Sequence, residues 1–265
     1  MDLRGRCESI RACLLDIDGT LLVDGKALAG SRELLHGLLE REIPFRLCTN
    51  TTRASLQRVT EQLQSQGLPV QSDHVLVPSK LAVRRIQASG KLRTGFLVPR
   101  DTRQDFDGLR AVHENPDWVV VGDLGPAFRW ERLNRAFQWL RGGAQLIALQ
   151  KNRCWRQDDE WRLDAGPFVA ALEYASGQQA ELMGKPAPAF FQLALQDLEA
   201  APNATLMLGD DLFSDVGGAQ QIGCTGLLVT TGKFEAESLK APGAPTPDGI
   251  LTTAADLLDY LPSPG

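Results

Sequence analysis

Four short polar segments constrain the fold of this chain most, because three of them directly follow apolar runs. Each run stops at a polar residue or a glycine: residues 13–15 stop at Asp16, residues 45–48 at Thr49 and residues 205–208 at Gly209. Short apolar runs of this composition, followed by turn residues, are typical of buried β-strands. The carboxyl ends of parallel strands line the binding crevice of an open α/β sheet. We therefore expect these segments to meet at one edge of a sheet.

Amphipathic helical patterns follow the first two predicted strands. One begins at Ser31, a candidate N-cap, and repeats leucines on one face; the other runs from Leu56 to about Gly67. Strands that alternate with helices imply a parallel, doubly wound sheet. The predicted fold class is α/β, with a Rossmann-like core.

The middle of the chain has a different composition, because it carries all five tryptophans: Trp118, Trp130, Trp139, Trp155 and Trp161. The pattern there predicts helices over 79–88, 130–140 and 166–175, and strands over 94–98, 118–121 and 145–148. A segment of this size can bury its own apolar surface. We therefore predict a discontinuous catalytic core, residues 1–78 and 182–265, with an inserted α/β cap domain over 79–181. The tryptophans are expected to pack its core rather than to line a pocket.

The β/α pattern resumes after the tryptophan-rich stretch. It predicts helices over 188–198, 215–222 and 254–261, and strands over 226–229 and 249–251.

Composition argues against several classes of partner. The net charge is -5, with no extended basic field, so we expect no nucleic acid as a partner. Five cysteines without a CxxC pair favour reduced thiols, and the three histidines, which are far apart in sequence, argue against a zinc site. No apolar run approaches the roughly 18 residues of a membrane span. These features predict a cytoplasmic protein with no membrane partner.

The first polar segment supplies two carboxylates, Asp16 and Asp18, on either side of the strand end. Because the chain turns away at Gly19, both side chains can face the crevice. Asp16 is placed to attack phosphorus, and Asp18 to protonate a leaving oxygen and later to accept a proton from water.

The remaining segments supply positive charge and a metal site. An attacking carboxylate and a phosphate repel each other, so a cation must lie between them. Asp210 offers a hard oxygen ligand opposite Asp16, and such a pair favours Mg²⁺. Lys185 adds a fixed positive charge, and Thr49 with the backbone at Asn50 can donate hydrogen bonds to phosphoryl oxygens.

Taken singly, these segments also have structural interpretations. An Asp-Gly pair is a common turn, and Lys185 before Pro186 can simply mark a helix entry. Asp211 and Asp215 are both candidate helix N-caps, and for Asp215 capping and function are equally supported. Their joint occurrence at the ends of the right elements favours the functional interpretation.

The combined motifs resemble those of the haloacid dehalogenase (HAD) superfamily. The matching segments, in order, are Asp16-Ile17-Asp18-Gly19-Thr20-Leu21, Thr49-Asn50, Lys185, and Gly209-Asp210-Asp211 with Asp215. The long gap between the second and third motifs resembles that of the NagD-like, large-cap (class IIA) branch. Further segments, among them Gly184-Lys185-Pro186 and Thr231-Gly232-Lys233, resemble the phosphatases of that branch that act on phospholysine, phosphohistidine and inorganic pyrophosphate.

The resemblance implies a Mg²⁺-dependent phosphatase that acts on a small phosphorylated molecule. It implies Asp16 as nucleophile and metal ligand, Asp18 as acid/base with its carbonyl on the metal, and Asp210 as metal ligand. It implies that Thr49, Asn50 and Lys185 bind the phosphate. Asp211 and Asp215 would support the residues that contact the metal and the phosphate. Because some relatives in this branch have serine at the position of Asp18, its presence favours an ordinary phosphomonoester over a pyrophosphate or phosphoamide.

Three other functions would use part of the same set of residues. A receiver-like signalling module also clusters aspartates with a threonine and a lysine, but its phosphoacceptor follows the third strand, where nothing comparable is found here. A dehalogenase has no use for the pair Asp18 and Asp210. A phosphate-binding scaffold without turnover is disfavoured by the intact Asp18. Tryptophans exposed on the cap would favour a homodimer, and residues around 150–153 are candidates for substrate selection.

Overall fold

The computed structural model describes residues 3–157 and 160–262. The strands in these ranges are β1 (Ala12–Asp16), β2 (Leu22–Val23), β3 (Lys26–Ala27), β4 (Phe45–Cys48), β5 (Val75–Leu76), β6 (Arg93–Leu97), β7 (Arg110–Ala111), β8 (Trp118–Val121), β9 (Gln145–Ala148), β10 (Cys154–Gln157), β11 (Glu160–Leu163), β12 (Glu181–Leu182), β13 (Thr205–Gly209), β14 (Thr225–Val229) and β15 (Gly249–Leu251). The α-helices are α1 (Leu3–Cys7), α2 (Ser31–Glu40), α3 (Leu56–Ser65), α4 (Pro78–Ala88), α5 (Trp130–Arg141), α6 (Ala165–Ser176), α7 (Pro188–Leu198) and α8 (Gly218–Gln220).

The chain divides into two compact units. The first contains the residues up to Thr49, Gln57–Leu76 and the residues from Lys185 onwards; the second contains Asn50–Leu56 and Val77–Gly184. The sequence places the corresponding boundaries near residues 78 and 182. The roles of catalytic core and cap stay predictions.

The first unit is built on a six-stranded parallel sheet in the order β15-β14-β13-β1-β4-β5. Every residue of β1 is buried, as expected for a central strand of a sheet covered on both faces. The register sets Asp16 beside Cys48 of β4 and Leu15 beside Leu208 of β13. The polar residues after these three strands therefore emerge at one edge of the sheet, and the predicted doubly wound α/β fold is confirmed.

The second unit has its own parallel sheet of five strands, in the order β12-β9-β8-β6-β7. Successive residues of β8 face opposite sides: Val119 packs with residues of α5 and α6, whereas Val120 packs with residues of α4. Each face thus has its own apolar cluster, which is why β8 consists of uninterrupted apolar residues. Burying both faces of a strand stabilises the fold by about 25 cal/mol for each Å² of apolar surface removed from water.

The tryptophans of the second unit do not share one role. Trp118 is buried at 4% exposure, and Trp139 packs against the cluster on the α5 face. Trp130 and Trp161 are 72% and 66% exposed. The prediction that tryptophans pack this core is therefore correct for Trp118 and Trp139 and wrong for Trp130 and Trp161.

Several helix predictions are wrong in detail. Ser31 is not an N-cap: Gly30 takes that position with a φ of 88°, and the Ser31 hydroxyl donates to the Leu21 carbonyl at 2.9 Å. A glycine reaches this left-handed conformation without steric cost, and the buried hydroxyl is satisfied by the preceding segment. The segment predicted as a helix over 254–261 forms a shorter 3₁₀ turn, Ala254–Asp259.

The segment predicted as a helix over 215–222 begins earlier and is wider. A π-helical turn spans Leu212–Gly217 and continues into α8. The cap is Asp211, whose Oδ1 accepts from the backbone N–H groups of Phe213 and Ser214. Asp211 is therefore the N-cap of this segment, whereas the structural reading of Asp215 as an N-cap is wrong.

Two β-hairpins were not predicted, β2–β3 in the first unit and β10–β11 in the second. Their strands are only two or four residues long, which is too short for a clear periodic signal in the sequence. In the described part of the chain, no helix is long and apolar enough to cross a bilayer.

Candidate active site

The nucleophile candidate, Asp16, is the last residue of β1. It is buried at 5% exposure, and its Oδ2 accepts a hydrogen bond from Thr20 Oγ1 at 3.2 Å. Burial raises its pKa against the opposing effect of Lys185. A carboxylate held in so dry a position needs positive charge close by to remain ionised.

Lys185 supplies that charge. Its Nζ lies 2.5 Å from Asp16 Oδ1 and 2.6 Å from Asp215 Oδ1, and it donates to the Cys48 carbonyl at 3.0 Å. The side chain is buried at 3% exposure. Burial disfavours the ammonium, but the two carboxylates outweigh it and raise the pKa of Lys185 above its usual value. The lysine is thus a permanent cation at the end of β1.

Three buried carboxylates converge at this point. Asp16, Asp210 and Asp215 each offer an oxygen atom within 4.8 Å of the others. Burial raises the pKa of all three carboxyl groups, and repulsion from Asp16 adds to the effect at Asp215 and at Asp210, where the pKa rises to about 7. One lysine does not compensate three carboxylates, and an all-oxygen donor set fits a hard divalent cation such as Mg²⁺.

Asp18 differs from Asp16 in its surroundings. Its side chain is exposed, and its Oδ2 accepts a hydrogen bond from Thr49 Oγ1 at 3.2 Å. Two aspartates separated by one residue therefore have one dry and one solvent-accessible carboxylate. This difference fits a nucleophile and a proton carrier, which need different environments.

The turn after Asp18 depends on Gly19. Its φ is 100°, and a Cβ at this position would collide with the carboxylate of Asp210. Its N–H donates to the Leu22 carbonyl at 2.7 Å. The sequence predicted that the chain leaves the strand here, and the structure adds that Asp210 packs directly against the glycine.

Asp215 is itself a member of the acidic cluster, whereas the resemblance implied only a supporting role for it. Its Oδ2 accepts the backbone N–H of Asp211 at 3.2 Å, while Oδ1 contacts Lys185. A Cβ on Gly209 would collide with its carboxylate, so the glycine makes room for it. Asp211 itself is occupied with capping the next turn.

Asn50 lies in the second unit, and its predicted role in phosphate binding stays a prediction. Its Nδ2 lies 3.5 Å from Asn152 Oδ1. A Cβ on Gly184 would come within 2.5 Å of Asn50 Oδ1 and 2.6 Å of the Leu149 carbonyl. Gly184 therefore permits the close approach of two loops of the second unit.

The residues proposed for substrate selection have structural partners within the second unit. Gln150 Nε2 donates to Asp164, the N-cap of α6, and Gln150 Oε1 accepts the N–H of Asn152 at 2.5 Å. Lys151 pairs with Glu173 of α6 at 2.8 Å. The loop that follows β9 is thus held in one conformation by α6.

The functional interpretation of the sequence missed one neighbour of the acidic cluster. Thr231, Gly232 and Lys233 come after β14, and the backbone N–H of Lys233 donates to Asp210 Oδ2 at 2.6 Å. The sequence does contain a signal, because polar residues and a glycine directly follow an apolar run here, as they do after the other strands. In the sequence analysis this segment supports only the family resemblance.

Comparison with protein families agrees with this geometry. A haloacid dehalogenase-like hydrolase model matches residues 13–108, and a HAD-hydrolase-like model matches residues 182–257. The phospholysine phosphohistidine inorganic pyrophosphate phosphatase of Homo sapiens is 36% identical over 262 residues, 97% of this chain and 96% of the relative. The human haloacid dehalogenase-like hydrolase domain-containing protein 2 is 37% identical over 230 residues, covering 87% and 88%.

Solved structures show the same architecture. The 4-nitrophenylphosphatase of Thermotoga maritima superposes with a TM-score of 0.89 at 28% identity, over 96% of this chain and 98% of that chain. NagD from E. coli K-12 superposes with a TM-score of 0.85 at 24% identity, over 93% and 98%, which supports the fold.

Proposed function

Because this chain belongs to the haloacid dehalogenase-like hydrolases, as a phosphatase of the NagD-like (class IIA) branch, we propose that it hydrolyses a small phosphorylated substrate with Mg²⁺ through an aspartyl-phosphate on Asp16. The observation that carries the proposal is the contact of one buried lysine, Lys185, with two of three converging carboxylates. Such a site needs a further cation and then attracts a phosphoryl group.

In the first step, a carboxylate oxygen of Asp16 attacks phosphorus and the bond from phosphorus to the leaving oxygen breaks. Lys185 keeps Asp16 ionised and orients it through Oδ1, while Thr20 holds Oδ2. Asp18, in its acid form, gives its proton to the leaving oxygen. An alcohol departs and the phosphoryl group stays on Asp16.

In the second step, water attacks the phosphorus of the aspartyl-phosphate. Asp18, now a carboxylate, accepts a proton from that water, and Asp16 is regenerated as inorganic phosphate leaves. The Thr49 hydroxyl, 3.2 Å from Asp18 Oδ2, orients the proton carrier in both steps. Magnesium, bound by Asp16, the Asp18 carbonyl and Asp210, with Asp215 close by, would neutralise charge on the phosphoryl oxygens.

Hydrolysis of p-nitrophenyl phosphate tests the nucleophile. We expect Asp16→Asn to lower kcat by on the order of 10³-fold or more. Asp24→Asn is the matched control, because Asp24 is an exposed aspartate in the turn between β2 and β3, with a φ of 50° that asparagine tolerates. Wild-type rates in Asp16→Asn would remove Asp16 as nucleophile.

Two further measurements test the intermediate and the metal. Borohydride reduction during turnover, followed by mass spectrometry, should modify the peptide that contains Asp16. Asp210→Asn should shift the Mg²⁺ titration to much higher concentrations; an unchanged titration would exclude Asp210 as a ligand. Phosphate binding without any turnover by the wild type would instead support a binding scaffold or a receiver-like module.

The substrate bond is a separate question. The printed name of the human relative makes phospholysine, phosphohistidine and inorganic pyrophosphate candidates for this chain. Asp18 favours a phosphomonoester over pyrophosphate, because an alkoxide leaving group needs a proton more than a phosphate does. A panel of phosphorylated metabolites, pyrophosphate and phosphoamides, compared by kcat/KM, distinguishes the two classes.

We also propose that the enzyme is a cytoplasmic homodimer. The five free cysteines fit a reducing compartment, and the exposed Trp130 and Trp161 fit a protein interface. Light scattering on wild type and on a Trp130→Glu variant tests the dimer.

A further inference from the structure

The turn after β14 contacts two different parts of the acidic site. The Thr231 hydroxyl donates to the Gly19 carbonyl at 2.5 Å, and the Lys233 backbone N–H donates to Asp210 Oδ2 at 2.6 Å. Gly19 lies in the loop that carries Asp18, and Asp210 follows β13. The turn Thr231-Gly232-Lys233 thus links the ends of two other strands of the same sheet.

Gly232 has a conformation and a position that a side chain would disturb. Its φ is 60°, and a Cβ there would collide with the Asp210 carboxylate and lie 2.7 Å from the Gly19 carbonyl oxygen. Backbone approaches this close are available only to glycine. The contact at Asp210 is therefore made by the main chain, through the Lys233 N–H.

We propose that the turn Thr231-Gly232-Lys233 is a positioning element of the metal and phosphate site. The Lys233 N–H orients Asp210, and the Thr231 hydroxyl orients the Gly19 loop, for the metal. The proposal rests on the proposed function, because it takes Asp210 as a metal ligand. Substituting a group that hydrogen-bonds to a metal ligand typically lowers metal affinity by about 10–100-fold.

The test measures binding of Mg²⁺ alone by isothermal titration calorimetry, without substrate or turnover. We expect Gly232→Ala and Thr231→Val to raise the Mg²⁺ Kd by about tenfold or more. Thr231→Ser keeps the hydroxyl and should bind Mg²⁺ as the wild type does. Thr230→Val is the matched control, since it makes the same change at an exposed neighbour.

Lys233→Met tests whether the contact with Asp210 is made by the main chain. The variant keeps the N–H that contacts Asp210, so its Mg²⁺ Kd should not rise.

The outcomes test the role of the turn separately from the proposed phosphatase function. A wild type that does not bind Mg²⁺ would overturn both. Wild-type Mg²⁺ affinity in Gly232→Ala and Thr231→Val would overturn the role of the turn and leave the phosphatase mechanism intact. If Gly232→Ala does not fold, the comparison of Thr231→Val with Thr231→Ser decides. A Mg²⁺ Kd that rises in Lys233→Met as much as in Thr231→Val would overturn the assignment of the Asp210 contact to the main chain.

Discussion

Lys185 Nζ lies 2.5 Å from Asp16 Oδ1, and both side chains are almost fully buried. The two residues are far apart in the chain and meet because Lys185 comes just before α7 while Asp16 ends β1. A second carboxylate, that of Asp215, contacts the same ammonium at 2.6 Å. The site therefore contains one buried ammonium in contact with two buried carboxyl groups.

We expect Lys185→Met to destabilise the protein by about 3–5 kcal/mol, because it leaves buried carboxylates without their cation. The measurement is urea unfolding. Lys151→Met is the control, since the Lys151 pair with Glu173 is 33% exposed on the lysine side, and its loss should cost about 1 kcal/mol or less. Equal losses would show that the buried charges are compensated in another way.

We expect Asp18→Asn to lower kcat by about 10²–10⁴-fold with little change in KM, because the variant cannot carry a proton but keeps the polar contact with Thr49. Substrates whose leaving group is a weak base, such as p-nitrophenolate, should lose less than alkyl phosphates. Steady-state kinetics with both substrate types provides the measurement. A loss that is independent of the leaving group would contradict the assignment of Asp18 as the acid.

We expect one cysteine, Cys154, to react rapidly with Ellman's reagent in the native protein. Cys7, Cys13, Cys48 and Cys224 are buried, and burial raises the pKa of Cys7 and Cys224 to about 11 and that of Cys48 to about 12. A Cys154→Ser variant serves as the control and should lose the rapid phase. All five thiols should react in denaturant, and rapid reaction of more than one in the native state would contradict the burial.

We expect Leu14→Ala to cost about 2–5 kcal/mol of unfolding free energy, because Leu14 is fully buried in the central strand β1. Leu39→Ala is the matched control, since Leu39 is 43% exposed on α2 and should cost much less. Chemical denaturation followed by circular dichroism measures both. A comparable cost at the two positions would mean that β1 is not the centre of the sheet.

The local sequence was sufficient to predict the strands that end at Asp16, Cys48 and Gly209 and the parallel α/β class. Each strand has an uninterrupted apolar run and a turn residue after it, so its type follows from neighbouring residues alone. Local sequence was misleading at Ser31, which has the residue type of an N-cap. Gly30 is the N-cap instead, and the buried Ser31 hydroxyl donates to the Leu21 carbonyl, a partner outside the helix.

Distances between carboxylates depend on strand register and on the conformation of the loops, which no local pattern contains. The motifs predicted Asp16, Asp18, Lys185 and Asp210 as chemical groups. Only the tertiary structure puts Asp215 among the buried carboxylates, leaves Asp18 exposed and brings the Lys233 backbone to Asp210. Residue types and their order define which chemical groups are available. The burial of these groups and the distances between their charges arise only when the strand ends pack together.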